Sequence, residues 1–248
     1  MNTLIEQIYS TGHVLDADGK ARNVFPSGIP LGEGKALYTM VREIGARRTL
    51  EIGFAYGLST LFLCEALKDN GGGQHTAIDP YQMEHWSGIG LLNIQRAGLD
   101  RYLRFMDLRA HEGLPKLLSA AEKFDLVFID GGHLFDYTLL DFFYADLLIP
   151  VGGYIFFDDL WMPSQQKLIN FILRNRNYQL VPKYSPPPPS RREIFKRSVR
   201  YVAGEMKAKR LPWFGPLSLV YGPAGPVRWV VLRKCGEDTR HGEHFNYF

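Results

Sequence analysis

The stretch EIGFAYGLST, residues 51–60, contains a turn with two glycines between a short apolar run and a segment of helical period. Gly53 and Gly57 stand where the backbone bends tightly and can approach a ligand, next to the N-terminus of the following helix. Their spacing is G-x-x-x-G, whereas a dinucleotide site needs G-x-G-x-x-G to bring a pyrophosphate against the helix. Glu51 would repel a pyrophosphate and attract a cationic ligand. The turn therefore predicts a ligand site, with a tight connection that binds nothing as the alternative.

Apolar runs of strand length alternate with segments of helical period on both sides of this turn. The pattern is typical of β-α-β units and of a parallel sheet covered on both faces. It predicts a doubly wound α/β fold whose mostly parallel sheet has seven strands. The predicted strands are 48–53, 74–79, 102–107, 124–130, 154–159, 178–183 and 227–235, and the helices between them are 36–46, 59–68, 88–98, 112–122, 139–148 and 163–175.

Composition places few limits on the partners of the chain. With 248 residues, 46% hydrophobic and 22% charged, it is ordinary globular material, and a net charge of +3 does not by itself indicate nucleic acid. No apolar run approaches the ~18 residues of a membrane helix, and the first residues lack a signal-peptide pattern. Cys64 and Cys235 are too few for a disulfide framework or a zinc site. We expect a soluble, cytoplasmic protein that binds no membrane.

The regular alternation ends at YSPPPPS, residues 184–190, because consecutive prolines favour an extended chain. The next stretch, 190–210, carries eight Lys and Arg against two Glu and predicts a basic helix. A loop rich in glycine, proline and aromatic residues follows, including Trp213 and Phe214. We therefore divide the chain into an N-terminal cap, 1–35, a ligand-binding core, 36–183, a Pro-rich basic insertion, 184–226, and a last strand with its tail, 227–248.

Acidic residues end several of the predicted strands. Asp79 closes the second strand, where a carboxylate can accept hydrogen bonds from both hydroxyls of a ribose. Asp130 ends the fourth strand, and Asp158 and Asp159 end the fifth, so all three share one crevice at the carboxyl edge of the sheet. Three carboxylates there would repel one another unless a hard divalent cation bound their oxygens. The alternatives are that Asp130 faces only a cofactor and that the other two cap the following helix.

These motifs resemble those of the class I S-adenosylmethionine (SAM)-dependent methyltransferases, in which an acidic residue precedes G-x-x-x-G and a second acidic residue ends the next strand. The resemblance covers roughly 32–183 and 227–235, and it implies a Rossmann-like fold with SAM at the carboxyl ends of the first strands. It implies that the methionine part lies along the turn, that Ser59 bonds its carboxylate, that Asp79 holds the ribose and that 107–110 borders the adenine. The cofactor residues implied are Glu51, Gly53, Ala55, Gly57, Ser59, Asp79, Asp107, Ala110 and Asp130.

The D-G-x-H of 130–133 and the pair Asp158-Asp159 resemble the metal-dependent O-methyltransferases, which include catechol-type and antibiotic-sugar-modifying enzymes. This resemblance implies Mg²⁺ on Asp130, Asp158 and Asp159. It also puts His133 at the position of the catalytic base of the catechol-type enzymes, with helix capping or metal ligation as the alternative for this histidine. The catechol pattern has Asp-Asn and Lys where this chain has Asp-Asp and His, while the sugar-modifying group has Asp-Asp. The acceptor is left open between a phenol and a sugar or other diol.

The predicted function is thus a SAM-dependent, Mg²⁺-dependent O-methyltransferase of secondary metabolism that acts on a small hydroxylated metabolite. Two alternatives remain: a metal-independent N- or O-methyltransferase of the same fold, and a non-catalytic scaffold whose basic insertion binds a partner. We expect no nucleic acid and leave a homo-oligomer open. The insertion 184–226 is predicted to be a lid or a wall of the acceptor site. Trp86 is predicted to stack over a ligand or to be core, and His85 and His111 are predicted to be surface or loop residues.

Overall fold

A seven-stranded sheet with helices on both faces forms the centre of the computed structural model, which describes residues 2–186, 190–207, 228–244 and 246–248. The strands are β1 (His13–Leu15), β2 (Ala21–Asn23), β3 (Arg48–Ile52), β4 (Gln74–Ile78), β5 (Leu103–Met106), β6 (Leu126–Ile129), β7 (Tyr154–Phe157), β8 (Tyr178–Leu180) and β9 (Val230–Lys234). The helices are α1 (Thr3–Thr11), α2 (Leu31–Glu43), α3 (Leu58–Asp69), α4 (Ile89–Arg96), α5 (Ala110–Ser119), α6 (Phe135–Leu148), α7 (Pro163–Asn175) and α8 (Arg191–Lys207).

The strand order across the large sheet is β5-β4-β3-β6-β7-β9-β8. The first five strands in this order are parallel, and β9 runs antiparallel to both of its neighbours. The order of the strands reverses between β3 and β6, and ligands of open α/β sheets bind outside the carboxyl ends of the strands at such a switch point. The topology therefore places a ligand crevice above the ends of β3 and β6.

Alternate residues of the central strands supply two separate hydrophobic layers. In β6, Leu126 and Phe128 pack with α1 to α4, whereas Val127 and Ile129 pack with α5 to α7. All four are buried, as expected for a parallel strand covered on both faces. This burial explains why FDLVFI has the strongest apolar run of the chain.

The structure confirms the predicted fold class, and each predicted strand and helix of the core has a counterpart. The helix predicted at 36–46 begins earlier in the structure, at Leu31. The prediction missed its first turn because Gly32 and Gly34 interrupt the apolar period of the sequence, although the backbone there is helical. Helix α1 and the hairpin β1–β2 were not predicted. Short strands such as His13–Leu15 carry too few residues for a clear alternation.

The predicted insertion is described only in part. The basic helix predicted at 190–210 has its counterpart in α8, Arg191–Lys207. Residues 187–189 and 208–227 lie outside the described ranges, so Trp213, Phe214 and the lid role of 184–226 stay predictions. In the described part of the chain, no helix is long and apolar enough to cross a membrane.

Candidate active site

A cavity of about 870 Å³ opens at the carboxyl ends of β3, β4, β6 and β7, as the strand order predicts. Its volume lies within the range of cofactor-binding clefts. Most of the predicted site residues line it: Gly53, Ala55, Ser59, Asp79, Ala110, Asp130, His133 and Asp159. Four others lie outside the lining: Glu51, Gly57, Asp107 and Asp158.

The turn after β3 is held against the end of β6. Gly53 has φ +94°, and a Cβ atom on it would lie 2.1 Å from the carbonyl oxygen of Asp130, so no larger residue fits. Gly57 has φ +75° and begins α3 as its N-cap without facing the cavity. Between them, the non-glycine Ala55 has φ +45°. The two glycines thus shape the turn, and the exposed backbone of 53–56 forms one wall of the cavity.

Asp79 ties this turn to β4. Its Oδ2 accepts hydrogen bonds from the backbone N–H groups of Phe54 and Ala55, at 3.0 Å each, and its Oδ1 accepts one from Tyr81 at 2.7 Å. An ionised carboxylate offers about four lone-pair positions, so acceptor capacity remains for a ligand. Asp79 lines the cavity, so a ligand there could reach it. Its contact with a ribose stays a prediction.

Glu51 lies beneath the turn and is fully buried. Its carboxylate accepts hydrogen bonds from the hydroxyls of Ser59 and Thr60 and is paired with Nε2 of His75 at 3.0 Å. These bonds hold the first turn of α3. Any influence of Glu51 on a cofactor would therefore pass through Ser59, which does line the cavity.

Aromatic and basic side chains form the outer wall. Trp86 lines the cavity and packs edge to face on Tyr56, with ring centroids 4.9 Å apart. His85 and His111, for which no site role was predicted, also line it. The sequence offered no signal for them, because both lie in polar stretches without a motif. Asp107, predicted to border the adenine, does not line the cavity, while its neighbours from Arg109 to His111 do.

Three groups able to bind a metal meet at the ends of β6 and β7. Ligand atoms of Asp130, His133 and Asp159 all lie within 4.8 Å of one another, and Nε2 of His133 is 3.2 Å from Oδ2 of Asp159. Asp159 has φ +55°, an uncommon conformation for a residue with a side chain. The structure thus groups His133 with two of the predicted ligands. Asp158, the third predicted ligand, is not a member of this group.

Asp158 instead pairs with Arg228, which lies just before β9. The Nη2 atom of Arg228 is 3.0 Å from Oδ2 of Asp158, its Nε is 3.1 Å from Oε2 of Glu33, and its Nη1 is 3.7 Å from Oδ1 of Asp159. Glu33, on α2, is fully buried. Sequence reasoning missed both Arg228 and Glu33, because only the folded chain brings these positions together.

The site has an excess of negative charge. Glu33, Asp130, Asp158 and Asp159 share one guanidinium, that of Arg228. Burial, followed by the charges of the neighbouring carboxylates, raises the pKa of Glu33 and of Asp130 well above the usual range. Burial also raises the pKa of Asp158 to about 6, against the opposing effect of Arg228.

Two buried oxygens near Arg228 lack a hydrogen-bond partner among the described residues: Oε1 of Glu33 and Oδ1 of Asp158. Unpartnered buried acceptors are costly, and like charges in one site repel. A divalent cation at Asp130, His133 and Asp159 would relieve the repulsion, and carboxylate oxygens are the ligands that Mg²⁺ and Mn²⁺ prefer. The residues present therefore fit a divalent cation.

Known proteins resemble the chain in sequence over its central part. Residues 50–160 match the family model described as a methyltransferase domain. Tapetum-specific methyltransferase 1 of Arabidopsis thaliana is 34% identical over 143 residues, which are 56% of this chain and 58% of that protein. Caffeoyl-CoA O-methyltransferase of Populus kitakamiensis is 33% identical over 54% of this chain and 55% of that protein. Catechol O-methyltransferase of Mycobacterium tuberculosis is 37% identical over 40% and 42%.

The aligned part of the chain spans somewhat more than half the length of the first two of these relatives. Solved structures resemble the whole chain over most of its length. The O-methyltransferase from Bacillus cereus in complex with SAH has a TM-score of 0.58 at 22% identity and covers 94% of this chain and 91% of its own. The O-methyltransferase TomG from Streptomyces achromogenes, in complex with SAM, has a TM-score of 0.53 at 22% identity and covers 84% and 82%. The structural likenesses confirm the predicted fold, and the sequence matches confirm the predicted resemblance to methyltransferases.

Proposed function

We propose that this chain, whose residues 50–160 match a methyltransferase domain model, is a SAM-dependent O-methyltransferase of a small hydroxylated molecule. One observation carries the proposal: the same cavity is lined by the glycine turn and Asp79 and also by Asp130, His133 and Asp159. The first group suits a cofactor with a ribose, and the second suits an acceptor oxygen that must lose a proton.

The cofactor residues of the proposal are those of the turn. When bound, SAM supplies a methyl group on a positively charged sulfur. Ser59 lines the cavity at the start of α3, and its hydroxyl is already donated to Glu51, so the methionine carboxylate is assigned to the backbone N–H groups and the partial positive charge at the N-terminus of this helix. Asp79 accepts hydrogen bonds from the ribose with the lone pairs that its three backbone donors leave free.

On the acceptor side, we assign Asp130 and Asp159 to a divalent cation, Mg²⁺ or Mn²⁺. Such a cation lowers the pKa of a bound hydroxyl and orients its oxygen. Asp158, the third ligand by resemblance, pairs with Arg228 through Oδ2 and lies outside the group of Asp130, His133 and Asp159, so we leave it out of the proposed metal site.

We propose that His133 takes the proton that the hydroxyl of the methyl acceptor must lose. An imidazole has an unperturbed pKa of about 6.5, suited to accepting a proton near neutral pH. The contact of its Nε2 with Asp159 orients the ring. A ring nitrogen of His133 also lies within reach of a metal bound to Asp130 and Asp159, and the lone pair of one nitrogen cannot serve a metal and a proton together. The metal affinity of a His133 variant distinguishes a metal ligand from a proton acceptor, because only the loss of a ligand weakens metal binding.

The contacts of Arg228 favour a second candidate, a metal-independent methyltransferase of the same fold. The guanidinium of Arg228 pairs with Asp158 and Glu33 and lies near Asp159. It therefore neutralises part of the negative charge that a metal would otherwise neutralise. In this candidate, Asp159 and His133 act as a carboxylate–imidazole pair that removes the proton without a cation.

The test is methyl transfer from labelled SAM to a panel of phenols, catechols and glycosides, with EDTA and with added Mg²⁺ or Mn²⁺. Turnover that EDTA removes and metal restores supports the metal-dependent proposal. Turnover unchanged in EDTA supports the second candidate. SAM binding without transfer to any member of a broad panel would favour the non-catalytic scaffold.

A further inference from the structure

One buried acidic residue of the cavity has no part in the chemistry proposed above. Asp141 lies on α6, seven residues after Leu134 and four after Tyr137, and these spacings place all three on one face of the helix. All three line the cavity. Asp141 is only 4% exposed, so the little surface it keeps faces this space.

The surroundings of Asp141 are apolar. Ile52, Ile78 and Ala110 line the same cavity and pack in the hydrophobic layer of α5 to α7, and α5 packs against α6. Gly131, at the end of β6, has no side chain to fill the space: a Cβ atom built on it would lie 3.7 Å from Oδ2 of Asp141. The same built Cβ atom would lie 2.9 Å from Cγ2 of Ile52, so the Asp141 carboxyl lies beside Ile52 and the bare backbone of Gly131 in the wall of the cavity.

No described residue donates a hydrogen bond to Asp141, and no described cation pairs with it. Burial alone raises its pKa to about 7. A buried carboxyl without a partner costs free energy, and a hydrogen-bond donor that reached it from the cavity would offset that cost.

We propose that Asp141 accepts a hydrogen bond from the 6-amino group of the cofactor's adenine and so selects an adenine cofactor over other purines. The inference rests on the proposed function, because it takes the cavity as a SAM site. The donors of SAM are its ammonium group, the ribose hydroxyls and the 6-amino group. The proposed function assigns the first two to the turn after β3 and to Asp79, which leaves the 6-amino group of a flat ring as the donor for a buried carboxyl beside Ile52 and Gly131.

The choice of base follows from hydrogen-bond chemistry. Hypoxanthine carries a carbonyl oxygen where adenine carries the 6-amino group, and the ionised form of Asp141, which prevails above pH 7, repels that oxygen. The binding test is therefore made at pH 8. A site that is built to pair with a donor rejects a ligand that lacks it, since the buried acceptor is left unpaired. An asparagine offers both a donor and an acceptor, so it should tolerate either base.

The test is calorimetric binding of S-adenosylhomocysteine and of its inosine analogue to the wild-type protein, to Asp141→Asn and to Asp141→Ser. Asp136→Asn is the matched control, because Asp136 lies on the same helix but is exposed and does not line the cavity. We expect the wild type and the control to favour the adenine ligand at least tenfold. The preference should fall to threefold or less in both Asp141 variants.

Two results would overturn the inference: equal affinity of the wild type for the two ligands, or a preference that persists in Asp141→Asn or in Asp141→Ser. The wild-type comparison holds even if one variant does not fold. A wild type that binds neither ligand contradicts the proposed function instead, so the two failures are distinguishable.

Discussion

The guanidinium of Arg228 lies 3.0 Å from Oδ2 of Asp158, and the same side chain reaches Oε2 of Glu33 at 3.1 Å. One residue next to β9 thereby joins the end of β7 to the buried face of α2. Removing one partner of a buried ion pair leaves the other charge uncompensated. The pair therefore links the stability of the fold to the charge of the acceptor site.

We predict that Arg228→Met lowers the free energy of unfolding by about 1–3 kcal/mol, less than for a fully buried pair because Arg228 keeps a quarter of its side-chain surface exposed. Thermal unfolding with and without Mn²⁺ checks this. Added Mn²⁺ should raise the melting temperature of the variant more than that of the wild type, since the cation replaces the missing positive charge. Arg22→Met is the control, because Arg22 is 45% exposed and its pair with Asp16 does not line the cavity. Unchanged stability of Arg228→Met without metal would contradict the prediction.

Asp79→Ala should weaken binding of S-adenosylhomocysteine at least tenfold. The variant loses the proposed bonds to the ribose, worth about 1.5–3 kcal/mol each for a charged acceptor. It also frees the backbone N–H groups of Phe54 and Ala55, which shape the turn. Calorimetry measures the effect, with Asp18→Ala in the exposed hairpin turn as the control. Equal affinity in Asp79→Ala would remove Asp79 from the cofactor site.

The pKa of Asp141 predicts a pH-dependent difference in stability between the wild type and Asp141→Asn. Because burial raises this pKa from 3.8 to about 7, the folded state binds the proton more tightly than the unfolded state does. The contribution of Asp141 to stability is present below pH 4 and is lost as the pH rises towards 7. At about 1.4 kcal/mol per pKa unit, the loss is on the order of a few kcal/mol.

An asparagine side chain does not titrate, so the melting temperature of the Asp141→Asn variant relative to the wild type should increase steadily between pH 4.5 and 7.5. Taking the difference removes the titration of groups common to both proteins. Calorimetric scans without ligand measure it. A difference that stays constant across this range would show that the folded protein does not hold Asp141 in an unfavourable charged state.

The sequence predicted those parts of the site that depend on neighbouring positions. The glycine spacing at Gly53 and Gly57 reflects a local backbone shape, and the acid at Asp130 follows a strand whose apolar run is unmistakable. Contacts between segments that are distant in the sequence could not be predicted, because no local pattern marks the residues that make them. Arg228 and Glu33 are 195 residues apart, and Asp141 lies in a helix whose apolar composition gives no sign of which face lines a cavity.

The predicted metal ligands illustrate the same limit. The pattern Asp158-Asp159 indicates two acidic positions at the end of β7, but successive side chains of an extended chain point in different directions. The φ of +55° at Asp159 cannot be deduced from the sequence, and Asp159 alone joins Asp130 and His133. Which of two adjacent acids faces the site was therefore beyond the sequence pattern.

The last prediction concerns His133, because the proposed chemistry needs an activated oxygen and an acceptor for its proton. His133→Ala should cut kcat about 100-fold, the usual contribution of a general base, and should leave Mn²⁺ affinity within threefold of the wild type. Asp159→Asn should weaken Mn²⁺ binding at least tenfold, because it removes a charged ligand. Electron paramagnetic resonance of bound Mn²⁺ measures affinity without turnover, and calorimetry with S-adenosylhomocysteine shows whether the cofactor site is intact.

If His133→Ala loses Mn²⁺ as strongly as Asp159→Asn does, His133 is a metal ligand, and another group must take the proton. If His133→Ala keeps both Mn²⁺ and full turnover from pH 6 to 9, the histidine has neither role. The pairing of Nε2 with Asp159 at 3.2 Å would then serve only to hold the loop after β6.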